Sequence, residues 1–221
     1  MVKFPDPIMV CGSGRDGTSA VAGLLHTAGV FMGFEMFTNF NHNPKGHFED
    51  QDFLTLHMGK SLKVPGKCYN KLSGEHKDEF RELIRERRGL NWPWGFKDPR
   101  IAYYLKFYFE EFDCPKIIRL RRDMHDVRRS IMRTFGKTPE QIEESLGRET
   151  PTVRQSNAFY VRKRKLDKHL DGYPNLLEIQ FEDLVRTRTE GCIDEILDFC
   201  QIPVSLKFKR REMSKFIIKR K

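Results

Sequence analysis

Between Ile8 and Leu25 the chain reads IMVCGSGRDGTSAVAGLL: an apolar run breaks into a glycine-rich turn and reopens at once as an apolar-periodic helix. Few folds accommodate that order. A buried strand, a turn able to take left-handed backbone and a helix opening at the turn gather N–H groups and the positive end of a helix dipole around one point. Such a point binds anions. Arg15 adds a full charge, and Thr18 and Ser19 add adjacent hydroxyls. The identity of the anion decides the function.

Three further apolar runs, Trp94–Lys97, Lys116–Arg121 and Leu176–Gln180, each precede a helical pattern. The alternation predicts an α/β protein, a three-layer P-loop-like fold with a central, mainly parallel sheet flanked by helices. No repeat or linker divides the 221 residues, so residues 1–221 read as a single domain. Helices are expected over Ala20–Ala28, closed by Gly29, over Gln51–Ser61, and over Glu75–Arg88, stopped by Gly89. Asp123 as N-cap and Gly136 as C′ residue bound another over Met124–Phe135, and Pro151 suits the first turn of a helix reaching His169. Thr187-Arg-Thr-Glu190 has the form of a capping box, opening a helix whose Ile193, Ile196, Leu197 and Cys200 share one face. Gly29–His47 lacks periodicity and reads as a binding loop.

Nothing approaches the ~18 consecutive apolar residues of a membrane span, and the first strand follows the N-terminus too closely to leave room for a secretory signal. The five cysteines (Cys11, Cys68, Cys114, Cys192, Cys200) are odd in number and form no CxxC pair. They read as free thiols of a reducing, cytoplasmic protein, and as neither a disulfide frame nor a zinc site. With 40 basic against 31 acidic residues the net charge is +9, which favours an anionic partner without choosing one. The basic runs Arg162–Lys165 and Lys207–Arg211 are equally well explained as solvated surface.

The turn supports three readings. Gly12-x-x-x-x-Gly17 begins like a nucleoside-triphosphatase loop, but Thr18 stands where the phosphate-bridging lysine belongs, which argues against ATP or GTP hydrolysis. Gly12-x-Gly14-x-x-Gly17 also spells the dinucleotide fingerprint, with Glu35 at the acidic position. The segment before Glu35, GVFMGF, holds two glycines and is no clean strand. The third reading draws on KIIRLRRDMHDVRRS (Lys116–Ser130), where Arg122 ends a strand and Ser130 lies two turns into the next helix. A guanidinium and a hydroxyl so placed converge on a second anion. Two anion sites at one sheet edge imply a ligand phosphorylated at two separated positions.

This combination resembles the sulfotransferase superfamily, whose members take a sulfuryl group from 3′-phosphoadenosine 5′-phosphosulfate (PAPS). GSGRDGTS is similar to its 5′-phosphosulfate loop, with Gly14 and Asp16 departing from the usual Pro and Ser. IRLRRDMHDVRRS resembles the 3′-phosphate motif, with Arg122 and Ser130 at its arginine and serine. WGFKDPR resembles the strand-end K-D-P of tyrosylprotein and several bacterial members, and NPKGHFED the segment before their second helix. LLEIQFEDLV resembles the later strand and its Y-E-D-L sequel, with Phe181 for tyrosine.

The resemblance implies that Gly14, Arg15, Asp16, Gly17, Thr18 and Ser19 hold the 5′ end of the donor and Arg122 and Ser130 its 3′-phosphate. Arg15 and Lys97 would stabilise charge on the leaving phosphate. Pro99 stands where cytosolic small-molecule members carry their histidine base; the resemblance to K-D-P members, which tend to use a glutamate from the region after the first helix, implies Glu49 as the candidate base, with His47 and Glu35 in reserve. A histidine works near neutrality untuned, whereas a carboxylate needs tuning by burial. Asp98, beside Lys97 and Arg100, reads as structural. No metal is required. The acceptor is expected to be a small molecule or glycan, with anionic ones favoured by the charge, lined from Gly29–His47 and Ser61–Leu72. Nucleic acid and membrane are not expected partners. A P-loop-type kinase, a basic nucleic-acid binder and a donor-binding pseudoenzyme are the alternatives.

Overall fold

Because successive side chains of a strand point to opposite faces, runs as apolar as these need cover on both sides. The computed structural model describes residues 6–37, 46–58, 72–90, 92–147 and 157–202. Strands β1 (Ile8–Cys11), β2 (Gly95–Lys97), β3 (Lys116–Arg121) and β4 (Leu176–Gln180) form one sheet in the order β2-β1-β3-β4. All neighbours are parallel, with Ile8 opposite Gly95 on one side and Lys116 on the other, and Ile117 opposite Leu176.

Ile8, Val10, Ile118 and Leu120 pack on α1 (Thr18–Thr27) and α8 (Thr189–Cys200), where Ile193, Ile196, Leu197 and Cys200 form the buried face read from the sequence. Met9, Cys11, Phe96 and Ile117 face α2 (Gln51–Met58), α3 (Gly74–Gly89), α4 (Ile101–Glu111) and α7 (Ala158–Leu170). The expected three layers are present. The second face is the aromatic one: Phe53 of α2 stacks on Phe96 with centroids 4.0 Å apart. Two more helices, α5 (Met124–Thr134) and α6 (Pro139–Gly147), follow β3.

The chain steps from β1 to β2 on one side, then returns past β1 to β3 on the other. That reversal leaves a crevice beyond the C-terminal ends of β1 and β3, where open parallel sheets bind ligands. It lies beside the glycine-rich turn after β1 and Arg122 after β3.

Strands β1, β3 and β4 have the predicted limits, while Trp94 joins only through an isolated bridge to Phe31. Helix α1 starts at Thr18, earlier than predicted, because Gly17 at φ 94° serves as its N-cap. Asp123 caps α5 as predicted, accepting from His125 N at 2.8 Å. Two expectations are corrected. The Thr187–Glu190 capping box does not form: Thr187 ends a π turn (Asp183–Thr187) and donates to Asp183 Oδ1 at 2.8 Å, and Arg188 precedes α8 without a side-chain cap. Helix α7 does not run unbroken from Pro151, because Asn157 is extended and caps it afresh through Phe159 N at 3.0 Å; Pro151 lies outside the described residues. The part of the predicted Gln51–Ser61 helix beyond Met58 also lies outside them.

Candidate active site

The turn after β1 holds its shape through three left-handed residues, Gly14 (φ 107°), Arg15 (φ 61°) and Gly17 (φ 94°). Side chains from distant elements leave no room for a Cβ at either glycine: one on Gly14 would come within 2.9 Å of Phe159, and one on Gly17 within 2.8 Å of Phe181. Thr18 and Ser19 open α1 directly beyond, at the positive end of its dipole.

Arginines brace this turn from outside. Arg122 donates to the Arg15 carbonyl at 2.9 Å and stacks over the Phe181 ring at 3.9 Å. Arg162 of α7 donates to the Ser13 carbonyl at 2.9 Å and lies over Phe159 at 5.1 Å. Arg15 turns towards α5, donating to Ser130 Oγ at 3.4 Å and to Thr134 Oγ1 at 2.9 Å. The loop and the Arg122/Ser130 pair, two sites in the sequence, are thus joined by direct hydrogen bonds. Arg162 was not singled out among the basic residues, and Thr134 was not foreseen; its only signal was its place one turn after Ser130.

Asp16, expected at the 5′ end of the donor, directs its side chain into the loop. Its carboxylate is fully buried and turns inward, accepting from Ser13 Oγ at 3.2 Å and from Gly14 N at 3.1 Å. The Gly14 N–H, expected to face the anion, is therefore already used. Burial raises the Asp16 carboxyl above its ordinary pKa, against the lowering effect of these bonds and of Lys97.

A second polar cluster gathers at the end of β2. Lys97 Nζ lies 2.6 Å from Glu49 Oε1 and donates to the His47 carbonyl at 3.3 Å, and Arg100 holds Glu49 Oε2 at 3.3 Å. Lys97 and Glu49, predicted from separate segments, meet as a buried ion pair, 3% and 7% exposed. Asp98 pairs with Arg100 (2.7 Å to Nε) and not with Lys97, and also binds His57 Nδ1 at 2.9 Å, while His57 Nε2 meets the Tyr108 hydroxyl at 2.7 Å. Burial works to raise Asp98, but His57 and Arg100 outweigh it and hold the carboxyl well below the usual carboxylate range. Of the two reserve bases, Glu35 is exposed and uses its carbonyl to accept from Gln51 N, and the His47 ring lies against Phe37 at 5.3 Å.

A cleft of about 410 Å³ borders the turn at Ser13, running between the ends of β3 and β4 and the Lys163 side of α7. Among the described residues no three His, Cys, Asp or Glu side chains gather as metal ligands, and no helix is long and apolar enough to cross a membrane.

A strand, a left-handed glycine turn and a helix on a parallel sheet, bonded to an arginine at the next strand end, define an α/β protein of P-loop-like fold. The profile of the sulfotransferase family matches residues 7–205, and the chain belongs to that family, whose enzymes use PAPS. Among solved structures it is similar to sulfotransferase STF1 from Mycobacterium tuberculosis H37Rv, at 14% identity and a TM-score of 0.47, over 95% of this chain and 70% of that one. No curated protein sequence matches it.

Proposed function

We propose that this chain moves a sulfuryl group from PAPS to a hydroxyl or amine, with Glu49 as base and Arg15 and Lys97 stabilising the leaving phosphate. The observation that carries the reading is the bonding of the two anion grips, Arg15 to Ser130 and Arg122 to the Arg15 carbonyl. A ligand with anions at separated 3′ and 5′ positions fits a crevice so equipped. Arg162 Nε, buried with no hydrogen-bond partner among the described residues, is a further donor beside the turn.

PAPS would supply the activated sulfuryl group, the sulfur–oxygen bond to its 5′-phosphate breaking as the bond to the acceptor forms and its electron pair staying on the leaving adenosine 3′,5′-bisphosphate. The N–H groups of Gly17, Thr18 and Ser19 hold that end, and Arg122 and Ser130 hold the 3′-phosphate. Positioning and charge stabilisation are the main work. The Lys97–Glu49 ion pair couples two roles: Lys97 leaves Glu49 for the phosphate oxygen that gains charge, and the uncovered carboxylate takes the acceptor's proton. The reading needs no metal ion.

The acceptor is a small molecule or glycan, with anionic ones favoured by the +9 charge. Nucleic acid is not a partner in this reading. A reducing cytoplasm suits the free thiols, of which Cys11, Cys192 and Cys200 are buried and Cys114 is exposed.

Calorimetry tests the donor site: adenosine 3′,5′-bisphosphate should bind far more tightly than 5′-AMP, and equal affinities remove the second grip. Radiolabelled PAPS incubated with alcohols, phenols, amines and glycans tests the transfer itself. Absence of label on every acceptor counts against it and favours a binding protein.

A further inference from the structure

The residue that most sets this turn apart from the family's usual one is Asp16, which brings a carboxyl where serine is usual. That carboxyl is fully buried among loop atoms. Oδ2 accepts from Ser13 Oγ and Gly14 N, as the oxygen of a bound anion would, while Oδ1 is buried with no hydrogen-bond partner among the described residues. The space belongs to it: a Cβ on Gly12 would lie within 2.7 Å of the carboxyl's heavy atoms.

Resting on the donor reading above, we propose that Asp16 sets the charge this cradle accepts. The 5′ anion of the donor enters together with one proton from solvent, which neutralises the Asp16 carboxylate and converts its unpartnered oxygen into an O–H donor. An ionised carboxylate beside the loop repels an arriving phosphosulfate, and burial screens the repulsion poorly. A protonated one removes that repulsion and leaves Oδ2 free to keep its two bonds.

Burial already favours the neutral form in the free protein. The charged and titratable groups around Asp16 leave it as the group that changes. Lys97 at the end of β2 is a cation paired with Glu49, and Cys11 on β1 is pushed up to about 12 by burial and stays a thiol. Arg162 of α7 and Arg122 beyond β3, on the flanking carbonyls of Ser13 and Arg15, stay charged throughout.

The test is the affinity of adenosine 3′,5′-bisphosphate for the full chain and for Asp16→Asn, by calorimetry between pH 6 and pH 9. Asparagine keeps an oxygen for Ser13 and Gly14 and loses the charge. Above the pKa of the free Asp16 carboxyl, the wild-type affinity should fall by about tenfold per pH unit, as for one linked proton. The variant should be flat above pH ~7, where the ligand's own phosphates, with second pKa near ~6, have finished titrating in both proteins. At pH 8 the variant should therefore bind more tightly, a gain that a damaged fold cannot produce. Wild type titrated at pH 8 in buffers of different ionisation enthalpy should also take up close to one proton per ligand and Asp16→Asn close to none, which separates Asp16 from the Glu49 carboxylate that Lys97 uncovers. Equal pH profiles in the two proteins, weaker binding by the variant at pH 8, or no proton uptake would each overturn the proposal while leaving the donor reading intact. No binding by either protein at any pH would remove that reading and this inference together.

Discussion

The two polar centres at the top of the sheet are built on opposite principles. Around the β1 turn, Arg15, Arg122 and Arg162 donate to hydroxyls and loop carbonyls, with Glu182 3.8 Å from Arg122 Nε and the Asp16 carboxylate buried within the loop itself. At the end of β2, Lys97, Glu49, Arg100, Asp98 and His57 run cation to anion in sequence and end on the Tyr108 hydroxyl. The first centre sets its guanidinium groups largely on backbone and hydroxyl oxygens. The second is neutralised before any ligand arrives, so its charges become useful only when one pair opens. On the proposed function, an anion grip and a proton-transfer cluster have different needs, and the sheet keeps them on separate strands.

Breaking the pair at its working member should have the largest effect. Glu49→Gln is expected to lose turnover by about 10²–10⁴ while adenosine 3′,5′-bisphosphate still binds; wild-type-like turnover moves the base elsewhere. Asp98→Asn should destabilise the protein by about 3–5 kcal/mol, because it strips the charge from a buried, doubly paired carboxylate. The sign with pH follows from the lowered Asp98 carboxyl: its stabilisation is present above the ordinary carboxylate range and drains as pH falls below it. Thermal unfolding should show the gap between variant and wild type closing in acid, and a gap that widens there would contradict the pairing. In the open centre, Arg122→Met should weaken adenosine 3′,5′-bisphosphate by about ten- to a hundredfold, the loss of one charged hydrogen-bonding partner, with 5′-AMP little changed. Added salt should do least. Raising it to about 0.5 M should weaken ligand binding several-fold, since charges near solvent are screened, and leave the melting temperature nearly fixed. A melting temperature that tracks salt would mean the β2 cluster is not closed.

Local features were readable in advance. Three strands matched residue for residue: β1 is a fully buried apolar run, β3 and β4 carry apolar residues among charged or polar ones, and the ends of all three carry turn chemistry. The Asp123 cap and the Gly17 turn are signals within a few residues of their effect. One local signal was missed: Thr138 and Gln141 cap α6 reciprocally, at 3.2 and 3.4 Å, and Thr-Pro-Glu-Gln spells it. Arg162 stayed hidden because a basic run on a helix looks the same whether it meets water or a loop carbonyl. His57 and Asp98, 41 residues apart, carry no pattern that joins them.

From its residue order alone the chain declared a parallel sheet, a left-handed glycine turn between strand and helix, and an arginine at the next strand end, since each depends on neighbours in sequence and on burial pattern. Contacts across the sheet decided the rest: Lys97 upon Glu49, Arg15 upon Ser130, and a carboxylate folded into its own loop. Those follow from strand order and helix packing, which bring distant segments to one edge. In that low-dielectric setting a pairing fixes the charge each group carries, and no single segment encodes it.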